Sequence, residues 1–134
     1  MQQIPPFERG KRYLQLSQHY REQFGEKVYK VSVSVADSCP NRESHKGKAV
    51  CIFCDEWGSA AYHQQRSQPL RSQIRINREA IRKRYRAEKF LIYFQAYTNT
   101  YGRFKKLESL YQMALEEKDV VGLVIGTRPD CLPE

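Results

Sequence analysis

Three of the four cysteines of this chain stand in one stretch, between Ala36 and Gly58, and their spacing is Cys39-x11-Cys51-x2-Cys54. A Cys-x2-Cys pair can aim both sulfurs at one metal centre, and a longer loop can bring in a third thiolate. A closed structural zinc site takes four ligands, whereas a catalytic metal or cluster keeps one position open for substrate. Three thiolates therefore indicate a metal centre with an open position, or a site completed by another residue type.

The residues alone leave other uses of these thiols open. A zinc ion held by the three cysteines needs a fourth ligand, and His45 or His63 is near enough in the chain to supply it. The thiols can also be free. Cys131 stands far from the other three cysteines, and we interpret it as a thiol with no part in the site.

Length and charge limit the class of protein. The chain has 134 residues, enough for one domain with a hydrophobic core. It carries 23 Lys and Arg against 15 Asp and Glu, a net charge of +8, which favours anionic partners such as nucleic acid or phosphate groups. There is no apolar run of membrane-spanning length and no signal-peptide core, so we expect a cytoplasmic protein with no membrane contact. In that reducing compartment, clustered cysteines indicate metal binding or catalysis before disulfides.

The elements on either side of the cysteines follow from hydrophobic periodicity. A helical stripe predicts an N-terminal helix over about residues 8–25, with Gly25 as its stop; the stripe is formed by Tyr13, Leu16, Tyr20 and Phe24. Residues 27–35 alternate between apolar and polar side chains and predict a β-strand. The cysteine loop, residues 36–58, follows this strand directly.

The rest of the chain alternates helix and strand. We predict a basic helix over about 70–89, a strand over 90–94, a helix over 102–118 and a strand over 120–125, the two strands being apolar enough to be buried. Strands that alternate with helices form a parallel sheet of βαβ units. The chain stops just after the third strand, so we expect the first part of a larger barrel or sheet, which associates with another copy through its exposed strand faces.

The cysteine spacing, placed straight after the first strand, resembles that of the radical S-adenosylmethionine (SAM) superfamily, in its YhcC-like branch, which is related to the Elongator catalytic subunit. The resemblance extends over essentially the whole chain, residues 1–134, and corresponds to less than half of a typical member. It is carried by four segments: Ser38-Cys39-Pro40-Asn41-Arg42, Cys51-Ile52-Phe53-Cys54-Asp55, Phe94-Gln95-Ala96-Tyr97-Thr98-Asn99-Thr100-Tyr101 and Gly126-Thr127-Arg128-Pro129-Asp130.

The resemblance implies an α/β fold, an incomplete parallel (β/α) barrel of the radical SAM type with its first three strands and an extra N-terminal helix. It implies a [4Fe-4S] cluster on Cys39, Cys51 and Cys54, with SAM chelating the remaining iron. One electron then cleaves SAM to methionine and a 5′-deoxyadenosyl radical, so the expected partner is an electron donor such as a flavodoxin or ferredoxin. Active sites of such barrels lie at the carboxyl ends of the strands, and the demanding chemistry belongs to the cofactor.

The same resemblance assigns SAM-binding positions. Phe53 matches an aromatic residue that packs near the adenine. Many relatives carry a Gly-Gly-Glu motif after the second strand; this chain lacks it, so Gln95, Thr98 or Asn99 would have to bind the methionine part of SAM. Arg128, after the third strand, would reach its carboxylate. Catalytic residues and substrate stay unassigned, although kinship with the Elongator subunit points to RNA. Because the later strands are missing, we expect little or no turnover from this chain.

A second function of a different class is compatible with the sequence. The helix over 70–89 is rich in arginine, and a zinc-stabilised module could bind nucleic acid with it. A charged run on a helix is more often a solvated outer face, and the few aromatic residues argue against a stacking platform. Zinc without sulfide, together with salt-sensitive RNA binding, would distinguish this module from an iron–sulfur enzyme.

Overall fold

The structure, a computed structural model, describes residues 12–35, 68–95 and 98–132. It shows an α/β arrangement in which a three-stranded parallel sheet is flanked by helices. The predicted cysteine loop, residues 36–58, lies outside the described residues. The elements are α1 (Leu16–Phe24), β1 (Val28–Val33), α2 (Leu70–Tyr85), β2 (Lys89–Phe94), α3 (Phe104–Leu115), β3 (Val120–Ile125) and a short 3-10 turn (Pro129–Cys131).

The strands are ordered β1-β2-β3 and both pairs are parallel, which confirms the predicted order of elements. Val33 pairs with Phe94, and Phe94 pairs with Ile125, so the three strands end at one edge of the sheet. The register between β2 and β3 shifts between Phe90 and Leu91. The segment that follows each strand therefore begins at the same edge of the sheet, the carboxyl edge.

One face of the sheet carries the core. Side chains alternate across a strand, and β2 directs its three fully buried residues, Phe90, Ile92 and Phe94, to the face covered by α2 and α3. Leu70 and Ile74 of α2 and Ala114 of α3 complete this cluster with Val31 and Val33 of β1. Burying a side chain of this size stabilises the fold by about 1.5–3 kcal/mol, so the central strand is the element that holds the sheet to its helices.

The N-terminal helix is shorter than predicted. It begins at Leu16, not near residue 8, and Tyr13 of the predicted stripe precedes it with 65% of its surface exposed. No side chain caps its first turn, and no acidic residue stands there to favour an earlier start. Its end is as predicted, because Gly25 adopts φ 75° and donates its N–H to the carbonyl of Arg21.

Burial within this chain is lower than the apolar pattern indicates at two places. The third strand matches its predicted bounds, but all six of its residues are only half-buried, because α3 covers one face and no described element covers the other. Phe104, an apolar residue of the helix predicted over 102–118, lies in the first turn of α3 and is 69% exposed. Both helices after β1 are also shorter than predicted; α2 ends where Arg86 adopts a φ of 53°.

Candidate functional site

The candidate site is the carboxyl edge of the sheet. Four of the predicted SAM-binding residues lie in the two segments that leave β2 and β3 at this edge, namely Gln95, Thr98, Asn99 and Arg128. Phe53 and the three cysteines of the motif lie outside the described residues, as do residues 96–97. The structure therefore brings part of the predicted set to one edge and leaves the cysteines as a prediction.

Asn99 ties the ends of two strands together. Its side-chain Nδ2 donates to the carbonyl of Phe94 at 2.9 Å and to that of Gly126 at 3.0 Å, and its backbone N–H donates to Gly126 at 3.0 Å. The residue is 2% exposed. Its Oδ1 is buried and has no hydrogen-bond partner in the described part of the chain. Asn99 thus joins the ends of β2 and β3, and within the described residues its Oδ1 is a hydrogen-bond acceptor without a donor.

The residues around Asn99 hold the β2 segment against the β3 segment. Tyr111 of α3 donates its hydroxyl hydrogen to the carbonyl of Asn99, and burial raises the pKa of this tyrosine above its usual range. The Thr100 hydroxyl is hydrogen-bonded to the hydroxyl of Thr127 and donates to the carbonyl of Cys131 at 2.5 Å. Both hydrogen bonds of Thr100 join the segment after β2 to the segment after β3, so these two segments are held together without a ligand.

Arg128 already has a carboxylate partner. Its Nε lies 2.9 Å from Oδ1 of Asp130 and its Nη2 lies 2.5 Å from Oδ2, a two-point contact. The hydrogen bond from Arg128 lowers the pKa of Asp130 below its ordinary value. Arg128 is therefore shaped for a carboxylate, and a ligand's carboxylate would have to displace Asp130.

The other two predicted residues are placed differently from each other. Gln95 is half-buried, and its backbone N–H extends the ladder with a bond to the carbonyl of Val33 at 3.4 Å. Thr98 is 3% exposed, and its carbonyl accepts a bond from the N–H of Tyr101 at 3.2 Å. Gln95 is the more accessible of the two to a ligand.

Sequence reasoning missed the residues that hold the end of β1, where the chain enters the cysteine segment. Gln73 of α2 accepts a hydrogen bond from the N–H of Ser34 at 2.9 Å and donates to the carbonyls of Ser34 at 3.0 Å and Gln68 at 2.9 Å. One turn later, Asn77 donates to the carbonyl of Ser32 at 2.9 Å. A signal was present, since two amide side chains four residues apart fall on one side of a helix.

These bonds cover the open edge of β1. The Val33 carbonyl faces β2, because it accepts the bond from Gln95. Backbone groups alternate in direction along a strand, so those of Ser32 and Ser34 face away from β2. There Gln73 occupies the place of a neighbouring strand. The backbone N–H and carbonyl of Ser34, two residues before the cysteine segment begins, are thus both held by Gln73.

The arginines of α2 are largely engaged with acidic residues. The carboxylate of Glu117, 8% exposed, lies 3.6 to 3.8 Å from three of them, Arg71, Arg75 and Arg78. Arg82 contacts Glu79, Glu88 and Asp119. The pairs with Glu117 and Asp119 join α2 to the turn between α3 and β3. They leave fewer free cations for nucleic acid than the sequence of the helix indicates.

Within residues 12–35, 68–95 and 98–132, no three His, Cys, Asp or Glu side chains form a group that could hold a metal ion. In the same part of the chain, none of the helices combines the length and apolar character needed to cross a bilayer.

Three curated proteins are similar to this chain. It is 38% identical over 124 residues to the uncharacterized protein YtqA of Bacillus subtilis, which covers 92% of the chain and 38% of the relative. It is 38% identical over 111 residues to the protein YhcC of Escherichia coli K12, covering 83% and 35%. The uncharacterized protein MJ0486 of Methanocaldococcus jannaschii is 37% identical over 129 residues, covering 94% and 38%.

The chain spans less than two fifths of the length of these curated relatives. No protein-family model matches it, and no solved structure gives a significant match.

Proposed function

We propose that this chain is the cluster- and SAM-binding part of a radical SAM enzyme, a partial (β/α) barrel of that type. The observation that carries the proposal is the position of the cysteine segment. The three-thiolate motif follows β1 in the chain, and β1 ends at the carboxyl edge of a parallel sheet. Ligand sites of parallel α/β folds form at that edge, where the segments after β2 and β3 also meet.

The described residues fit the amino-acid part of SAM. The buried Oδ1 of Asn99 is an acceptor without a partner in the described part of the chain, and an ammonium group is a donor. The guanidinium of Arg128 holds a carboxylate in a two-point contact, and the carboxylate of SAM is of the same kind. Gln95 offers a half-buried amide beside them.

The cofactor roles are divided between the cysteines and the edge. Cys39, Cys51 and Cys54 would hold the [4Fe-4S] cluster, and Phe53 would pack near the adenine. When bound, the cluster supplies the electron that cleaves SAM to methionine and a 5′-deoxyadenosyl radical. This chain's own part is to orient SAM through Asn99 and Arg128.

The similar proteins support the YhcC-like branch of the proposed family. The similarity to YhcC over 111 residues is consistent with a YhcC-like protein. The reaction of the full-length enzyme, an electron donor of the flavodoxin or ferredoxin class, and RNA as a substrate are proposals for the longer protein.

The test is the iron, sulfide and zinc content of protein reconstituted under anaerobic conditions. We expect about four irons and four sulfides per chain, lost in Cys51→Ala and retained in Cys131→Ala. Cys131 is the matched control, because it stands far from the three cysteines of the motif in the chain and its thiol lies against the Asp130 carboxylate, 3.8 Å from Oδ1. Zinc without sulfide would overturn the proposal and favour the nucleic-acid-binding module.

A further inference from the structure

A groove of about 680 Å³ lies on the face of the sheet opposite the core. Lys30, Tyr93 and Val124 stand on this face, because their neighbours in each strand point to α2 and α3. The first helix forms the other wall, with Leu16 and Tyr20. The volume is within the usual range for small-molecule sites, about 300–1,000 Å³.

The polar lining of the groove is cationic. Arg21, Lys27 and Lys30 line it, and none of the described lining residues is acidic. Lys27 is engaged, because its Nζ donates to the carbonyl of Tyr85 at 2.7 Å. Arg21 and Lys30 have no ion pair with any described residue, in contrast with the arginines of α2. Among residues 12–35, 68–95 and 98–132, these two cations of the groove therefore have no acidic partner.

The remaining lining is aromatic and aliphatic. The ammonium of Lys30 lies 4.6 Å from the ring centre of Tyr93, so the two side chains meet in the middle of the groove. Tyr20 and Leu16 stand on α1, and Leu16 is 61% exposed. A flat apolar ring would cover Leu16 and lie beside Tyr20.

We propose that this groove binds a nucleotide, with its phosphate on Lys30 and Arg21 and its base against Tyr20, Leu16 and Val124. Unpaired cations beside an apolar wall attract an anion more strongly than cations in open water. Aromatic side chains beside them give a base a surface on which to stack.

None of the described lining residues belongs to the proposed cluster site. The groove runs from Lys27 and Val28, at the amino end of β1, to Tyr93 and Val124, one residue before the ends of β2 and β3, whereas the predicted SAM residues follow those ends. Binding to the groove needs none of the three cysteines of the motif. Its failure would therefore leave the cluster proposal untouched, and the reverse also holds.

The test is calorimetric titration of the whole chain, without reconstitution, with adenosine 5′-monophosphate at low ionic strength. We expect saturable one-site binding. Lys30→Gln and Arg21→Gln each weaken it at least five-fold. Lys83→Gln, which removes the same charge from the exposed outer side of α2, leaves it unchanged. Adenosine and inorganic phosphate each bind at least ten-fold more weakly than the monophosphate.

Each arm has a result that overturns the proposal. Absence of binding removes the site. Equal loss in the Lys83 variant means that binding follows net charge and not the groove. If adenosine binds as tightly as the monophosphate, the proposed phosphate contact is refuted. If inorganic phosphate binds as tightly, the proposed base contact is refuted. Decauridylate is the last probe: tighter, Lys30-dependent binding identifies a nucleic-acid strand as the source of the nucleotide, and weaker binding identifies a free nucleotide.

Discussion

Replacing Gln73 with alanine should destabilise the fold more than any other single change on the outer edge of the sheet. The variant leaves the buried N–H and carbonyl of Ser34 without their side-chain partner, and it removes a bond to Gln68. A buried group left unpaired costs about 1–3 kcal/mol. Alanine returns a few tenths of a kcal/mol as a better helix former. The expected net loss is about 3 kcal/mol in the free energy of unfolding.

Two further variants separate hydrogen bonding from packing. Asn77→Ala removes one bond, to the carbonyl of Ser32, and should cost about 1 kcal/mol. Gln73→Met keeps the length of the side chain but neither donor nor acceptor, so it should stay close to Gln73→Ala. If packing dominates instead, Gln73→Met recovers most of the stability.

The assay is urea unfolding followed by circular dichroism, together with amide hydrogen exchange. For a chain of this size, 1 kcal/mol shifts the thermal midpoint by about 3–5 °C, so Gln73→Ala should unfold about 10 °C lower. The amide of Ser34 should exchange at least ten-fold faster in that variant. An unchanged Ser34 amide, or a loss no greater than that of Asn77→Ala, would refute the role given to Gln73.

Three other changes have defined outcomes. Glu117→Gln removes the charge that faces Arg71, Arg75 and Arg78. Denaturant unfolding should show that the free energy of unfolding falls by about 2 kcal/mol. This is less than the usual cost of breaking a buried pair, because Arg71 and Arg75 are exposed. Gly126→Ala places a Cβ about 3.2 Å from the Phe94 carbonyl and should lower thermal stability by about 1–2 kcal/mol. The pKa of Asp130, followed by carboxyl-carbon NMR, should lie below 3.8 and rise in Arg128→Gln. Because the pKa is depressed in the folded state, the contact with Arg128 is fully present at pH values above the usual aspartate pKa. It is lost as the pH falls through the lowered pKa.

Matched controls accompany these variants. Glu116→Gln changes the same charge at a side chain that is 67% exposed, and should cost under about 0.5 kcal/mol; equal losses at both positions would contradict the buried anchor. Gly102→Ala meets only the Leu107 side chain, at 3.8 Å or more, and should be tolerated. A pKa of Asp130 at or above 3.8 would mean that Arg128 does not hold it.

Regular elements were predictable because their signal is local. The strand over residues 120–125 was found at its true bounds from its apolar run, and the order of elements required a parallel sheet. Burial was harder, because it depends on which face another element covers. One face of β3 and the side chain of Phe104 have no such cover in the described residues. The stripe that included Tyr13 overestimated α1 because periodicity alone does not locate an uncapped helix start.

The polar contacts of the candidate site were only partly predictable. Asn99 and Arg128 were placed at the correct edge, because residues that follow parallel strands meet there. Their partners could not be read from spacing: Asn99 binds backbone groups of Phe94 and Gly126, which carry no side-chain signal. The spacing of Gln73 from Asn77 was a signal that two amides share one side of α2, but it could not name the partner of Gln73, the backbone of Ser34.

The covered edge of β1 has a consequence for strand pairing. An unpaired strand edge is a template on which another extended segment, from this or another chain, can add. The amide of Gln73 presents one acceptor and one donor to Ser34, as a peptide group would, so a strand can join β1 there only by expelling a buried side chain. On β3, no described side chain closes the outer edge in this way. A further strand can therefore add more readily beside β3 than beside β1. The hydrogen bonds between Gln73 and Ser34 also disfavour a shifted strand pairing at the end of β1 that leads to the cysteine segment.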